Sequence, residues 1–340
     1  MKRSLLFIFF GILFPLVSQA HNDDGYYHDD ADLPAQKDWM ARLHDDLSIK
    51  DISIPGTHDS GSLHGGDIVQ TQTLSIFQQL NAGIRFLDIR LRHINDVFTI
   101  HHGPVYQRQM FEDVLNATEA FLQQNPSETV LMRVKKEHTE EGNSRKFEDT
   151  FNDYYNRYQN IIWRPSSWSD MPKLSDTRGK IVFLQNFSGG GYRSFGLSYN
   201  NFDIQDNYTI STNWDLHRKW TKVKEHINKA ASSTPARGSG FINYLSASGG
   251  SFPYFVASGH SSPGTSAARL LTGKTTPGWW HSYPDFPRVD CFIGICPIAF
   301  EGTNTLTKNY IYQQRPRYVG IIAADFPGAG LIGAVINTNF

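Results

Sequence analysis

The sequence predicts an α/β fold, a single irregular (β/α)8 barrel of the TIM type, and three observations carry that prediction. Short β-rich runs recur, about eight in all, along the chain. Amphipathic helical patterns lie between several of them. Polar residues gather at the C-terminal ends of the runs while their interiors stay apolar, as expected where strand ends converge on one mouth above a packed core. The 340 residues are 39% hydrophobic and 19% charged, an ordinary globular composition.

The chain opens with MKRSLLFIFFGILFPLVSQA. Lys2 and Arg3 precede an apolar run from Leu5 to Val17, and Ser18 and Ala20 place small residues before a cleavage point. This is the pattern of a secretory signal peptide over 1–20, too short for a comfortable membrane span. The mature protein is expected to be secreted or periplasmic. Residues 21–45, acidic and poor in aliphatics at first, read as a solvated N-terminal tail and lead-in. The barrel is assigned to 46–340.

The runs read as strands are Asp51–Ile54, Arg85–Leu91, Phe98–His102, Thr129–Lys135, Lys180–Asn186, Phe202–Tyr208, Gly240–Ser246 and Tyr318–Ala324. Helical spacing appears in SIFQQLNAG, closed by Gly83, in MFEDVLNATEAFLQQNPSE, stopped by a proline, and in WDLHRKWTKVKEHINKAAS. Too few residues separate Leu91 from Phe98 for a helical crossover, so the barrel should be irregular there. The Gly/Pro-rich, aromatic stretch from Thr272 to Arg317 reads as an elaborated loop before the last strand. Cys291 and Cys296 are the only cysteines. A disulfide and two buried thiols both fit them. The formal net charge of −1 argues against nucleic acid as a partner, since holding a polyanion needs a basic surface.

The strand ends carry the candidate chemistry. The first run ends in His58-Asp59. The second holds Asp88 and Arg90, two apart and so on one face. The third ends at His102, the fourth at Lys135, the sixth carries Asp206 and Tyr208, and Asp325 follows the eighth. A reaction that removes one proton and supplies another wants two groups titrating near neutrality, which histidine does unperturbed.

Successive blocks, ISIPGTHDSGS, RFLDIRLR, IHHGPVY, NPSETVLMRVKKE, RGKIVFLQNFSG, QDNY and VGIIAADF, resemble the bacterial phosphatidylinositol-specific phospholipases C, in order, from about Ile52 to Phe326. The resemblance implies an irregular barrel and a phosphorus–oxygen lyase that releases diacylglycerol and 1,2-cyclic inositol phosphate. His58 would be the general base, oriented by Asp325. His102 would be the general acid, partnered by Asp59. Arg90 would hold a phosphate oxygen, with Asp88 in the same network. Lys135 and Asp206 would meet inositol hydroxyls, and Tyr208 would underlie the ring. The family often has an arginine where this chain has Asn186, a departure that Arg193 nearby would offset. Phosphatidylinositol, and glycosylated inositol lipid anchors with it, are the implied partners of a monomer.

No cofactor is expected. A divalent cation in this mouth would want a second acid near Asp88, and the chain puts Arg90 there, so no metal is expected either. The aromatic stretches GGSFPYF, with Phe252, Tyr254 and Phe255, and PGWWHSYPDF, with Trp279 and Trp280, are candidates for transient contact with a membrane surface. Two rival readings compete with this one. A glycerophosphodiester phosphodiesterase on a similar barrel wants a carboxylate at position 90. A catalytically idle barrel that binds inositol lipids or sugars has no reason to keep both histidines with both aspartates.

Overall fold

The computed structural model describes residues 24–165, 171–192, 194–233 and 238–340. The expected signal peptide and Arg193 lie outside the described residues. In chain order the strands are β1 (Ile54–Thr57), β2 (Phe86–Ile94), β3 (Val97–His102), β4 (Val105–Met110), β5 (Thr129–Lys136), β6 (Lys180–Asn186), β7 (Leu197–Ser198), β8 (Asp203–Gln205), β9 (Thr209–Ile210), β10 (Phe241–Tyr244), β11 (Ser248–Gly249), β12 (Leu271–Thr276), β13 (Cys296–Ala299) and β14 (Ile321–Ala324). The α-helices are α1 (Ile76–Asn81), α2 (Phe111–Gln124), α3 (Phe147–Arg157), α4 (Leu174–Thr177), α5 (Leu216–Ala231), α6 (Pro253–Ser258), α7 (Thr303–Gln314) and α8 (Ala329–Asn337).

Eight strands form one curled sheet in the order β7-β6-β5-β2-β1-β14-β10-β8, and every pairing along that path is parallel. This is the predicted irregular barrel. Strands β1, β10 and β14 are buried at every residue, because helices cover one face and the barrel interior fills the other. Helices α1, α2 and α5 form where apolar spacing placed them. A reciprocal capping box between Ser75 and Gln78 starts α1, and Leu216, Trp220, Val223 and Ile227 make the buried stripe of α5.

Several expectations are corrected. The first run lies later than expected: Ile49–Asp51 is a 3-10 turn, and the strand starts at Ile54. Pro55 and Gly56 look like breakers in sequence. In the fold, a Cβ on Gly56 would come within 2.7 Å of the Phe86 ring, so glycine is what lets β1 approach β2. Phe98–His102 is not a barrel strand. It pairs antiparallel with the far half of β2 and with β4, which is the irregularity the short link required. The stretch before the last strand is not a mere loop. It holds the antiparallel β12–β13 hairpin, a Cys291–Cys296 disulfide and α7.

The solvated tail is also corrected. Tyr26 is buried against Phe326 and His260, Tyr27 N–H donates to the Phe326 carbonyl at 3.0 Å, and Asp24 pairs with Lys308. The acidic composition concealed an anchored segment. Of the aromatics nominated for a surface, Tyr254 and Phe255 are buried in α6, while Phe252, Trp279 and Trp280 are exposed. Among the described residues, no helix is long and apolar enough to cross a membrane.

Candidate active site

The β1–β14 register pairs Thr57 with Ala324, which sets the next residue of each strand side by side at the mouth. His58 Nδ1 lies 2.7 Å from Asp325 Oδ1. On the other side of the ring, Arg90 Nη2 lies 2.7 Å from His58 Nε2. A guanidinium only donates, so Nε2 accepts, and the ring proton sits on Nδ1, where Asp325 accepts it. Burial pushes the His58 pKa down, Asp325 pushes it up and Arg90 opposes; the balance is raised.

Asp59 follows with φ of 41°, a left-handed conformation that aspartate tolerates better than most residues. The reversal is pinned to β2, because Ser60 Oγ accepts from Asp88 N–H at 2.8 Å. Asp59 Oδ2 then faces two nitrogens at once. His102 Nδ1 is 2.8 Å away and Arg90 Nη1 3.4 Å. His102 stands at the end of β3, carried to the site by the antiparallel excursion and held by the turn into β4. The five groups form one connected series: Asp325, His58, Arg90, Asp59, His102.

Asp88 and Arg90 point the same way on β2, as their spacing implied. Arg90 Nη2 is 3.5 Å from Asp88 Oδ2. The guanidinium thus lies between two buried carboxylates, which outweigh the cost of burying it and hold it firmly charged. Among the described residues there is no group of three or more acidic, histidine or cysteine side chains able to hold a metal ion.

One residue escaped the sequence reading. The β2–β5 register sets Arg133 opposite Asp88 and Lys135 opposite Arg90. Arg133 is buried, with Nη1 3.1 Å from Asp88 Oδ1 and 3.0 Å from the Tyr244 hydroxyl. Its Nε and Nη2 donate to Asn186 Oδ1 at 3.1 and 2.7 Å, and its plane lies 4.2 Å from the centre of the Tyr199 ring. Burial opposes the ionised form of Asp88, and Arg133 and then Arg90 overcome it, holding the carboxyl far below its usual range. The available signal was the i, i+2 spacing of Arg133 and Lys135, the same alternation that flagged Asp88 and Arg90.

The remaining nominees lie further out. Lys135 pairs with Glu137 at 3.2 Å, and Glu137 in turn accepts from Gly103 N–H beside His102. Asp206 and Tyr208 follow β8 and are exposed. Beneath them Lys219 is buried and donates to Gln205 Oε1 at 3.3 Å. Burial lowers its pKa to about 7 against the opposing charges of Asp206 and Asp325.

The model of the phosphatidylinositol-specific phospholipase C X domain matches residues 53–186. A protein of Listeria monocytogenes named 1-phosphatidylinositol phosphodiesterase is 32% identical over 260 residues, covering 72% of this chain and 78% of that one. A protein of the same name from Staphylococcus aureus is 30% identical over 328 residues, covering 84% and 97%. The chain belongs to the phosphatidylinositol-specific phospholipase C family. The solved Listeria phosphatidylinositol-specific phospholipase C superposes with a TM-score of 0.63 at 26% identity, over 90% of this chain and 99% of that one. In this phospholipase C chain Asn186 does not stand alone at the end of β6, since its Oδ1 is held from the adjacent strand β5. The group that holds it is the Arg133 guanidinium.

Proposed function

We propose that this chain is a phosphatidylinositol phospholipase C in which one histidine takes a proton from the substrate and a second returns one to it, without a metal. The inositol 2-hydroxyl gives its proton to His58 Nε2, and the freed oxygen bonds to phosphorus. The bond from phosphorus to the diacylglycerol oxygen breaks, and His102 Nε2 returns a proton to that leaving oxygen. Diacylglycerol and 1,2-cyclic inositol phosphate result. Water then opens the cyclic product slowly, with the two histidines exchanging roles.

The observation that carries this reading is the connected series from Asp325 to His102. Asp325 fixes the His58 tautomer and stabilises the imidazolium, and Asp59 does the same for His102. The Arg90 fork meets charge on the phosphate, and its fixed cation stands where a divalent ion would act. A phosphodiester that takes donors from Arg90 also frees His58 Nε2 to accept. Lys135, Asp206, Asn186 and Arg133 supply polar partners for inositol hydroxyls, and Tyr208 a flat face. Substituted inositol lipids, including glycosylated anchors, fit a mouth with exposed walls. The disulfide supports secretion into an oxidising compartment, where a monomer meets its substrate at a membrane surface.

The test is product analysis. Phosphatidylinositol vesicles incubated with the protein and a chelator should yield the phosphorus resonance of a five-membered cyclic phosphodiester. Inert lipid, or turnover only after calcium is added, would overturn the proposal. His58→Ala and His102→Ala should each lower turnover by at least about 100-fold with the fold retained.

A further inference from the structure

The two chain ends that carry His58 and Asp325 leave the sheet at once. The β1–β14 ladder stops at Thr57 and Ala324, with one further bond from His58 N–H to the Ala324 carbonyl at 3.0 Å. Asp59 and Phe326 then turn away with φ of 41° and 47°, so neither strand runs on to hold the other. The 2.7 Å contact between the His58 ring and Asp325 therefore needs a brace from outside the ladder. Thr71 and Gln72, where the loop after β1 doubles back, supply one. Gln72 is 2% exposed and Thr71 is fully buried. Gln72 Nε2 donates to the His58 carbonyl at 2.9 Å and to the Ala324 carbonyl at 3.0 Å. The Thr71 carbonyl accepts from Phe326 N–H at 3.0 Å, and its hydroxyl donates to the Asp59 carbonyl at 3.0 Å. The backbone N–H groups of both residues donate to the Ser62 carbonyl, at 3.0 and 3.2 Å, which anchors the segment itself.

We infer that Gln72 is a positioning residue whose amide fixes the separation of His58 from Asp325, and with it the sharing of the Nδ1 proton. This deepens the proposed reaction and rests on it for why that separation matters. The two N–H groups of a primary amide diverge in one plane, so a single side chain gauges the distance between two carbonyl oxygens. Here those carbonyls belong to the base itself and to the residue before its carboxylate partner. Strand ends released from a ladder twist apart, and a buried amide bonded to both opposes that. Thr71 secures the groups on either side, the Asp59 carbonyl and the Phe326 N–H, so the brace reaches both aspartates of the connected series. Displacing a reacting group by about 1 Å can cost about 100-fold in rate, which is why the gauge matters to turnover.

The test sets Q72M, which keeps the length of the side chain and removes both donors, beside T129V. The latter removes a buried hydroxyl that donates to the Thr177 carbonyl at 2.8 Å, at the start of β5 and so at the far end of the barrel. Q72M should lower kcat on phosphatidylinositol at least about tenfold with KM within about twofold, and T129V should change neither. Nitrogen NMR of isotope-labelled histidine reads the pair without turnover, and His58→Gln identifies its signals. The charges that face the His58 ring are Asp325, Arg90 and Asp88, and the Tyr244 ring lies edge-on from β10. Q72M alters none of them, so a fall of the His58 titration midpoint toward the ordinary histidine value reports a loosened Asp325. Q72N, whose shorter arm no longer spans both carbonyls, should fall between Q72M and wild type, and it decides by the same readouts if Q72M does not fold. A His58 midpoint and kcat equal to wild type in the folded Gln72 variant would overturn the inference, as would equal shifts in T129V. A lowered midpoint in a protein inert on phosphatidylinositol would leave the positioning role standing and sink the catalytic reading.

Discussion

His58 receives a guanidinium on one ring nitrogen and a carboxylate on the other. A base must be neutral to accept, so activity rises as pH climbs through its pKa. The raised pKa moves that acid limb up from the ordinary histidine value. Asp325→Asn removes the charge that raises it. The limb should therefore move to lower pH, with the plateau turnover down at least tenfold, in a pH profile of kcat/KM. Asp88 gives the opposite sign for stability. Its folded pKa is depressed, so its contribution is whole above the unfolded value, about 3.9, and is lost as pH falls through the folded value. Arg133→Met removes the larger cation. The acid-unfolding midpoint should rise, and KM for phosphatidylinositol should rise with it. The histidines and their aspartates were legible in sequence because glycine-marked turns present them at strand ends. Arg133 was not, because a basic residue inside an apolar strand has no turn to announce it, and its partners arrive from two other strands.

Strands of a parallel sheet are short apolar runs, which is why most barrel strands could be read one-dimensionally. The β3–β4 hairpin was half legible. Its second strand, VYQRQM, lies at an edge, buries only Gln107 and offers no apolar run. Helix α7 was missed for the opposite reason: Thr303 to Lys308 are all buried, so no polar stripe marks the period. The hairpin matters most, since it delivers His102. Gly103 has φ of 53°, and nothing lies within 4 Å of where a Cβ would stand, so Gly103→Ala meets only backbone strain. It should cost about 1 kcal/mol in denaturant unfolding and lower turnover further than that loss of stability explains.

The whole molecule is clasped at the end of the barrel away from the mouth. Arg85 and Glu128 are fully buried and 2.8 Å apart, and Arg85 also donates to the carbonyls of Leu80, Ile84 and Lys37. Glu128→Ala leaves that guanidinium unpaired. It should destabilise by about 3–5 kcal/mol in chemical unfolding while leaving kcat of the folded protein unchanged. At the opposite end the wedge of Tyr26 under Phe326 has a practical consequence. The backbone that carries Asp325 is braced by residues that look dispensable, so N-terminal trimming beyond Asp24 should blunt catalysis before it lowers melting temperature, and affinity tags belong at the C-terminus.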